Sequence, residues 1–199
     1  MIDPTPPACA NSRPNDVTPE APFLPIPFLA RDVDVTPRAD GSVLMHSRVP
    51  LGPVEPHLPA LLHRQAAERP AQAWLCQRSA DGRWRSLAYG EAARQVDAAT
   101  QWLLSLGQPG RNVMVLSGNS PEHAVFELAA MQARMPYVPV TPAYSLLSTD
   151  HGKLRSMVEL IRPAVLFVQD AARFERALRA LDTQGIATVF AGSAVAGLP

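Results

Sequence analysis

The chain has 199 residues, 47% of them hydrophobic, with 18 basic and 18 acidic side chains. That length allows one real core, as a single domain or a domain plus an arm, and leaves a multidomain enzyme cramped. The balanced charge supplies no net field to draw nucleic acid or an anionic membrane, so neither is an expected partner.

Only one of the basic residues is a lysine, Lys153, so chemistry that needs a lysine must use it or go without. Cys9 and Cys76 lie far apart with no metal-ligand spacing, which fits a reduced, cytoplasmic setting. The N-terminus lacks a basic region followed by an apolar core, and no apolar run approaches a membrane span. A soluble protein is expected.

Thirteen of the 21 prolines fall in the first 59 residues. With Asn, Asp, Ser and Thr and few large apolar groups beside them, residues 1–27 are expected to form a disordered, proline-rich arm, and residues 28–199 the folded part. Ala39, Asp40 and Gly41 signal a turn between 31–35 and 42–47, which predicts a hairpin. Pro50, Pro53 and Pro56 make an extended connector. Leu58, Leu61, Leu62 and Ala66 then recur at helical spacing until Pro70. Residues 73–78 and 84–87 flank Asp81 and Gly82 and predict a second hairpin. Residues 89–106 carry a helical stripe of Ala92, Val96, Ala99, Leu103 and Leu106, stopped by Gly107.

Residues 113–145 organise the remainder. Val113 to Leu116 suits a strand buried on both faces, Ser120 an N-cap and Pro121 a first helical position. Apolar groups wrap most of the following helix, so it should lie inside a layer. A second strand over 137–140 completes a βαβ unit with parallel strands and a right-handed crossover. The alternation continues through a helix on Leu154, Met157, Val158 and Ile161, a strand over 164–168, a helix on Phe174, Ala177, Leu178 and Leu181, and a strand over 187–190. Four strands alternating with three helices predict an α/β fold, a parallel sheet with flanking helices, preceded by the two hairpins.

The segments WRSLAYGE (84–91), LSGNSPEH (116–123) and YVPVTPAYS (137–145) resemble the N-terminal region of adenylate-forming, AMP-binding acyl-CoA synthetases, and among these most resemble feruloyl-CoA synthases. RADGS (38–42), PLGP (50–53) and DHGKLR (150–155) fit the same family. The resemblance runs from about residue 28 to 190, and none of these segments is a catalytic motif. It implies the N-terminal subdomain of the adenylate-forming fold and a reaction of the complete enzyme in which a carboxylic acid, hydroxycinnamate-like, reacts with Mg-ATP and then coenzyme A. The family's phosphate loop, adenine segment, ribose-binding Asp and C-terminal lysine have no counterparts among these residues. Residues 28–199 are therefore expected to be a truncated N-terminal portion of an AMP-binding domain, inactive alone, with no catalytic, cofactor-binding or metal residue of its own. The missing ligase portion is an expected partner in trans.

Local candidates divide as follows. The Ser117 to Ser120 turn precedes a helix N-terminus where phosphate can dock, yet it lacks P-loop spacing, and a tight turn with an N-cap explains every residue. Glu122 and His123 are adjacent on a helix and do not face each other, which favours capping over acid/base work. His57 and His63 are six apart and His46 and His151 isolated, a poor basis for metal ligation. Lys153 reads as an exposed helix lysine. Tyr144 and Ser145 follow a strand's C-terminal end, the edge where open α/β sheets bind ligands, and are the substrate-proximal candidates. Two other classes stay open: a non-catalytic binding or scaffold module, and a stand-alone Rossmann-like nucleotide binder without a glycine fingerprint. A shortened sheet should also expose large apolar groups and leave the chain marginally stable or partner-dependent.

Overall fold

The computed structural model describes residues 32–79 and 81–192. The expected arm over 1–27 and its boundary with the folded part lie outside them, as do residues 193–199. The chain separates into two units, with described residues 32–56 in one and those from His57 onward in the other.

In the first unit, β1 (Val33–Pro37) pairs antiparallel with β2 (Val43–Ser47). The turn forms because Gly41 takes φ 83° and Asp40 accepts hydrogen bonds from Ser42 N at 2.9 Å and Ser42 Oγ at 2.7 Å. Those bonds hold the exposed Asp40 carboxyl below its usual range. The register sets Val33, Val35, Pro37, Val43 and Met45 on one face, and Asp34 and His46 on the other, where Arg48 pairs with Asp34.

The second unit opens with α1 (Leu58–Glu68), whose first turn is capped by His57 Nδ1 accepting from Ala60 N at 3.1 Å. The second hairpin, β3 (Ala73–Arg78) with β4 (Trp84–Ala88), turns through Gly82 at φ 82°. Then α2 (Tyr89–Ser105) buries Ala92, Ala93, Val96, Thr100 and Leu103. Thr100, four residues after Val96 and on the same face, is buried with its hydroxyl satisfied by donating to Val96 O at 2.7 Å.

The parallel sheet has the order β6-β5-β7-β8, from β5 (Val113–Leu116), β6 (Tyr137–Val140), β7 (Val165–Val168) and β8 (Ala187–Phe190). Every residue of the two central strands is buried, as a sheet covered on both faces requires. Period two divides them. Val113, Val115, Val165 and Phe167 pack with α1, α2 and α3 (Pro121–Gln132), while Met114, Leu116, Leu166 and Val168 pack under the helices of the opposite face. Those helices are α4 (Pro142–Leu146), α5 (Gly152–Ile161) and α6 (Ala171–Arg179). The α/β architecture with two hairpins is as the residues predict.

One element differs. After β6 the chain forms α4, a short helix absent from the alternation of strands and helices expected from the sequence. Pro142 stands in its first turn, where its ring dihedral is preorganised for a helix. At the far end of α3, Arg134 takes φ 59° while Met135 N reaches Ala130 O at 2.9 Å and Arg134 N reaches Met131 O at 3.1 Å. This is a Schellman stop with arginine where glycine is usual.

Candidate functional site at the carboxyl edge of the sheet

The connection from β5 leads to one side of the sheet, and the next connection passes β5 to reach β7 on the other. The helices that follow these two strands therefore cover opposite faces. The crevice outside their carboxyl ends is the topological switch point, where open α/β sheets receive ligands.

Here the crevice is laced by side chains. Gln169 Oε1 accepts from Gly118 N at 2.9 Å and lies 3.2 Å from Ser117 Oγ, which also sits 2.7 Å from Gly118 O. Ser120 Oγ accepts from His123 N at 3.1 Å and caps α3, and His123 Nδ1 stands 3.0 Å from Gly118 O. A ring nitrogen facing a carbonyl must donate, so His123 carries its proton on Nδ1. At α6, Asp170 Oδ1 accepts from Arg173 N at 2.9 Å and sets a carboxylate where a phosphate would sit. The turns thus satisfy themselves. These residues do not form a cradle for a nucleotide phosphate or its magnesium.

Glu122 and His123 diverge, as adjacent helical residues should. Glu122 meets Arg85 of β4 at 2.5 Å, and Arg85 also donates to Gln77 Oε1 at 3.2 Å. Burial pushes the Glu122 carboxyl up, but hydrogen bonds from its own backbone and from Arg85, together with the charge of Arg85, outweigh that and hold it below the usual range. Behind it, burial and then the Glu127 charge push the Tyr137 hydroxyl far above the ordinary tyrosine value, so it stays neutral.

Tyr144 and Ser145 lie on α4, directly after the end of β6. Ser145 is only 3% exposed, and its Oγ has no hydrogen-bond partner among the described residues. Tyr144 is half-buried; its carbonyl lies 3.4 Å from His151 Nδ1, and Lys153 Nζ stands 5.3 Å from its ring centroid. The fold thus joins Tyr144 to His151 and Lys153, which sequence reasoning treats as separate. His151 is buried at φ 51°, with its N–H on Ser148 Oγ at 2.9 Å. Lys153 is exposed, as its helical position predicts. His57 caps a helix, and His63 lies 3.3 Å from Asp97. Among the described residues no group of three or more His, Cys, Asp or Glu could hold a metal, and no helix is long and apolar enough to cross a membrane.

Gln169 is the residue that sequence reasoning missed. Its signal lies in register, because Leu116 pairs with Val168 in parallel strands, so the next residues, Ser117 and Gln169, end side by side.

The fold has solved relatives. The fatty acyl-adenylate ligase from L. pneumophila, in complex with acyl adenylate and pyrophosphate, matches at 15% identity and TM-score 0.55, over 67% of this chain and 23% of that one. IdnL1 matches at 25% identity and TM-score 0.56, over 71% and 27%. The Klebsiella oxytoca NpsA N-terminal subdomain, in complex with 3-hydroxybenzoyl-AMSN, matches at 17% identity and TM-score 0.50, over 71% and 34%. The chain spans about a quarter to a third of the length of these structures. No curated protein sequence matches it. The profile of the family described as AMP-binding enzyme matches residues 62–195, from α1 through β8, and the chain belongs to that family.

Proposed function

We propose that the chain is the N-terminal portion of an ATP-dependent carboxylic acid:CoA ligase of the feruloyl-CoA synthase type, and that it is inactive alone. AMP-binding enzymes act on carboxylic acids with ATP and magnesium. In the complete ligase the acid's carboxylate oxygen attacks the α-phosphorus of ATP and pyrophosphate leaves. The thiol of coenzyme A then attacks the acyl carbon and AMP leaves. The observation that carries this reading is the family match over residues 62–195, together with the three segments resembling acyl-CoA synthetases, which lie at β4 with α2, β5 with α3 and β6 with α4. Tyr144 and Ser145 are the residues of this portion proposed to lie near the acid, because a buried hydroxyl without a partner among the described residues stands beside a half-buried tyrosine at the carboxyl edge. The enzyme is proposed to work in the cytoplasm.

The test is ATP-pyrophosphate exchange with ferulate. The chain alone should give background exchange, and exchange above background would refute the claim that it is inactive alone. Exchange restored with ferulate, and not with a straight-chain fatty acid, when the remaining ligase portion is added would support the hydroxycinnamate assignment. A second reading, a scaffold module without ligase chemistry, is favoured by the self-satisfied turns of the switch point. Association with the remaining portion but no exchange with any acid would select it.

A further inference from the structure

The stripe along α1 has one polar member. Leu58, Leu61 and Leu62 recur at helical spacing, and the next position is Gln65, which is buried as an apolar residue there would be. Its Oε1 accepts from Nε of Arg69, one turn further on. The guanidinium held in this way lies 5.7 Å from the ring centroid of Tyr89, which stands 6.3 Å from the ring of Trp74 on β3. Together these residues wall a hollow of about 500 Å³, a size suited to a small molecule, with Ala124, Glu127 and Leu128 of α3 on its other side. The hollow shares no residue with the switch point or with Tyr144 and Ser145.

Two opposite charges line it, and neither is ion-paired. Of the two carboxylates on α3, Glu122 meets Arg85, whereas Glu127 is half-buried and makes no hydrogen bond or ion pair among the described residues. A carboxylate drawn partly out of water is costly to leave without a donor. Arg69 spends its Nε–H on Gln65, and its Nη1 lies 3.4 Å from Gln72 Oε1, but among the described residues no carboxylate reaches it. The space between the two charges is apolar, with Leu58 and Leu61 exposed at it.

We infer that this hollow binds a free α-amino acid with an apolar side chain, at a site separate from that of the acid. The ligand's carboxylate takes the two terminal nitrogens of Arg69, its ammonium meets Glu127, and its side chain lies among Leu61, Leu62 and Leu128 beside Trp74. An acid alone leaves Glu127 unmet and an amine alone leaves Arg69 unmet, so the two charges select the zwitterion. None of this depends on the ligase reading.

The experiment titrates the full 199-residue chain, by calorimetry, with L-phenylalanine, phenylpropanoate and phenethylamine, which share a ring and differ in charge. The expected result is saturable binding of L-phenylalanine, at least ~10-fold tighter than of either other probe. Arg69→Gln should weaken L-phenylalanine and phenylpropanoate and leave phenethylamine unchanged. Glu127→Gln should weaken L-phenylalanine and phenethylamine and leave phenylpropanoate unchanged. A misfolded variant loses all three probes alike, and the ranking of the probes on the unaltered chain then decides. Equal binding of the three, indifferent to both substitutions, marks an apolar hollow without charge recognition and overturns the inference. So does the absence of saturable L-phenylalanine binding. Binding of L-phenylalanine that Tyr144→Phe abolishes and Arg69→Gln does not places the ligand at the carboxyl edge, which overturns it as well.

Discussion

The side-chain oxygen of Gln169 accepts the backbone N–H of Gly118 at 2.9 Å and thereby joins the ends of the two central strands at the switch point. The bond does across the crevice what the ladder does within the sheet, since the residues before it, Leu116 and Val168, are the last pair of the register. Gln169→Ala leaves the Gly118 N–H part-buried without its acceptor. A loss of about 1 to 2 kcal/mol in urea unfolding is expected. Gln169→Glu keeps an acceptor and should recover most of it; equal losses in both variants would show that the bond is not the cause.

Gly90 has a different constraint. A Cβ there would meet Pro70 Cβ at 3.0 Å and Pro70 O at 3.1 Å, while Gly90 N donates to the same carbonyl at 2.9 Å. The opposing atoms are backbone and a rigid ring, so they cannot give way as a flexible side chain does. Gly90→Ala should destabilise by about 1 to 3 kcal/mol, against about zero for Gly118→Ala, where the nearest atom is Gln169 Oε1 at 3.5 Å. Thermal melts of the two variants side by side check the contrast.

At Arg134 the sign reverses. Its φ of 59° is a conformation that glycine adopts without steric cost. The surrounding Schellman bonds are made by backbone and survive the change. Arg134→Gly is expected to stabilise the chain by about 0.5 to 1 kcal/mol, offset in part by the greater freedom of glycine in the unfolded chain. A lowered melting temperature would mean that the arginine side chain contributes more than its backbone costs.

The Glu122 to Arg85 pair predicts a pH dependence. The folded carboxyl titrates below its ordinary range, so its contribution is present above the unfolded value of about 4.3 and is lost as pH falls through the lower folded value. Both side chains are partly exposed, at 54% for Arg85 and 32% for Glu122, so solvent screening limits the effect to about 0.5 kcal/mol. Glu122→Gln should flatten the stability curve between about pH 5 and pH 3 and leave it unchanged in shape above. Urea midpoints across that range decide it.

How much of this was legible in the residues depends on the range of the interaction. β5 and β8 have the bounds that their apolar runs predict, because Asn112, Ser117 and Gly185 leave little freedom for the ends. Ser120 and Pro121 announce the start of α3 for the same local reason. What sequence reasoning could not reach are pairings set by register and crossover. Gln169 looks like any polar residue after VLFV until β7 is placed beside β5. Likewise His151 and Lys153 look isolated until α4 forms and turns Tyr144 toward them.

Ser145 offers the sharpest separation of structural from functional roles. Its hydroxyl is buried without a partner among the described residues, so there it incurs desolvation with no hydrogen bond in return. Ser145→Ala should therefore be neutral or stabilising by up to about 1 kcal/mol, the opposite of what removing a bonded buried hydroxyl would do. In the reconstituted ligase, a hydroxyl that bonds the acid would be missed, and the same substitution should weaken acid binding about 5- to 10-fold with stability intact. Tyr144→Phe tests the neighbouring phenol in the same assay. Unchanged acid affinity and turnover in both variants would remove these two residues from the substrate site, while a loss of stability in Ser145→Ala would show that the hydroxyl is bonded within the fold.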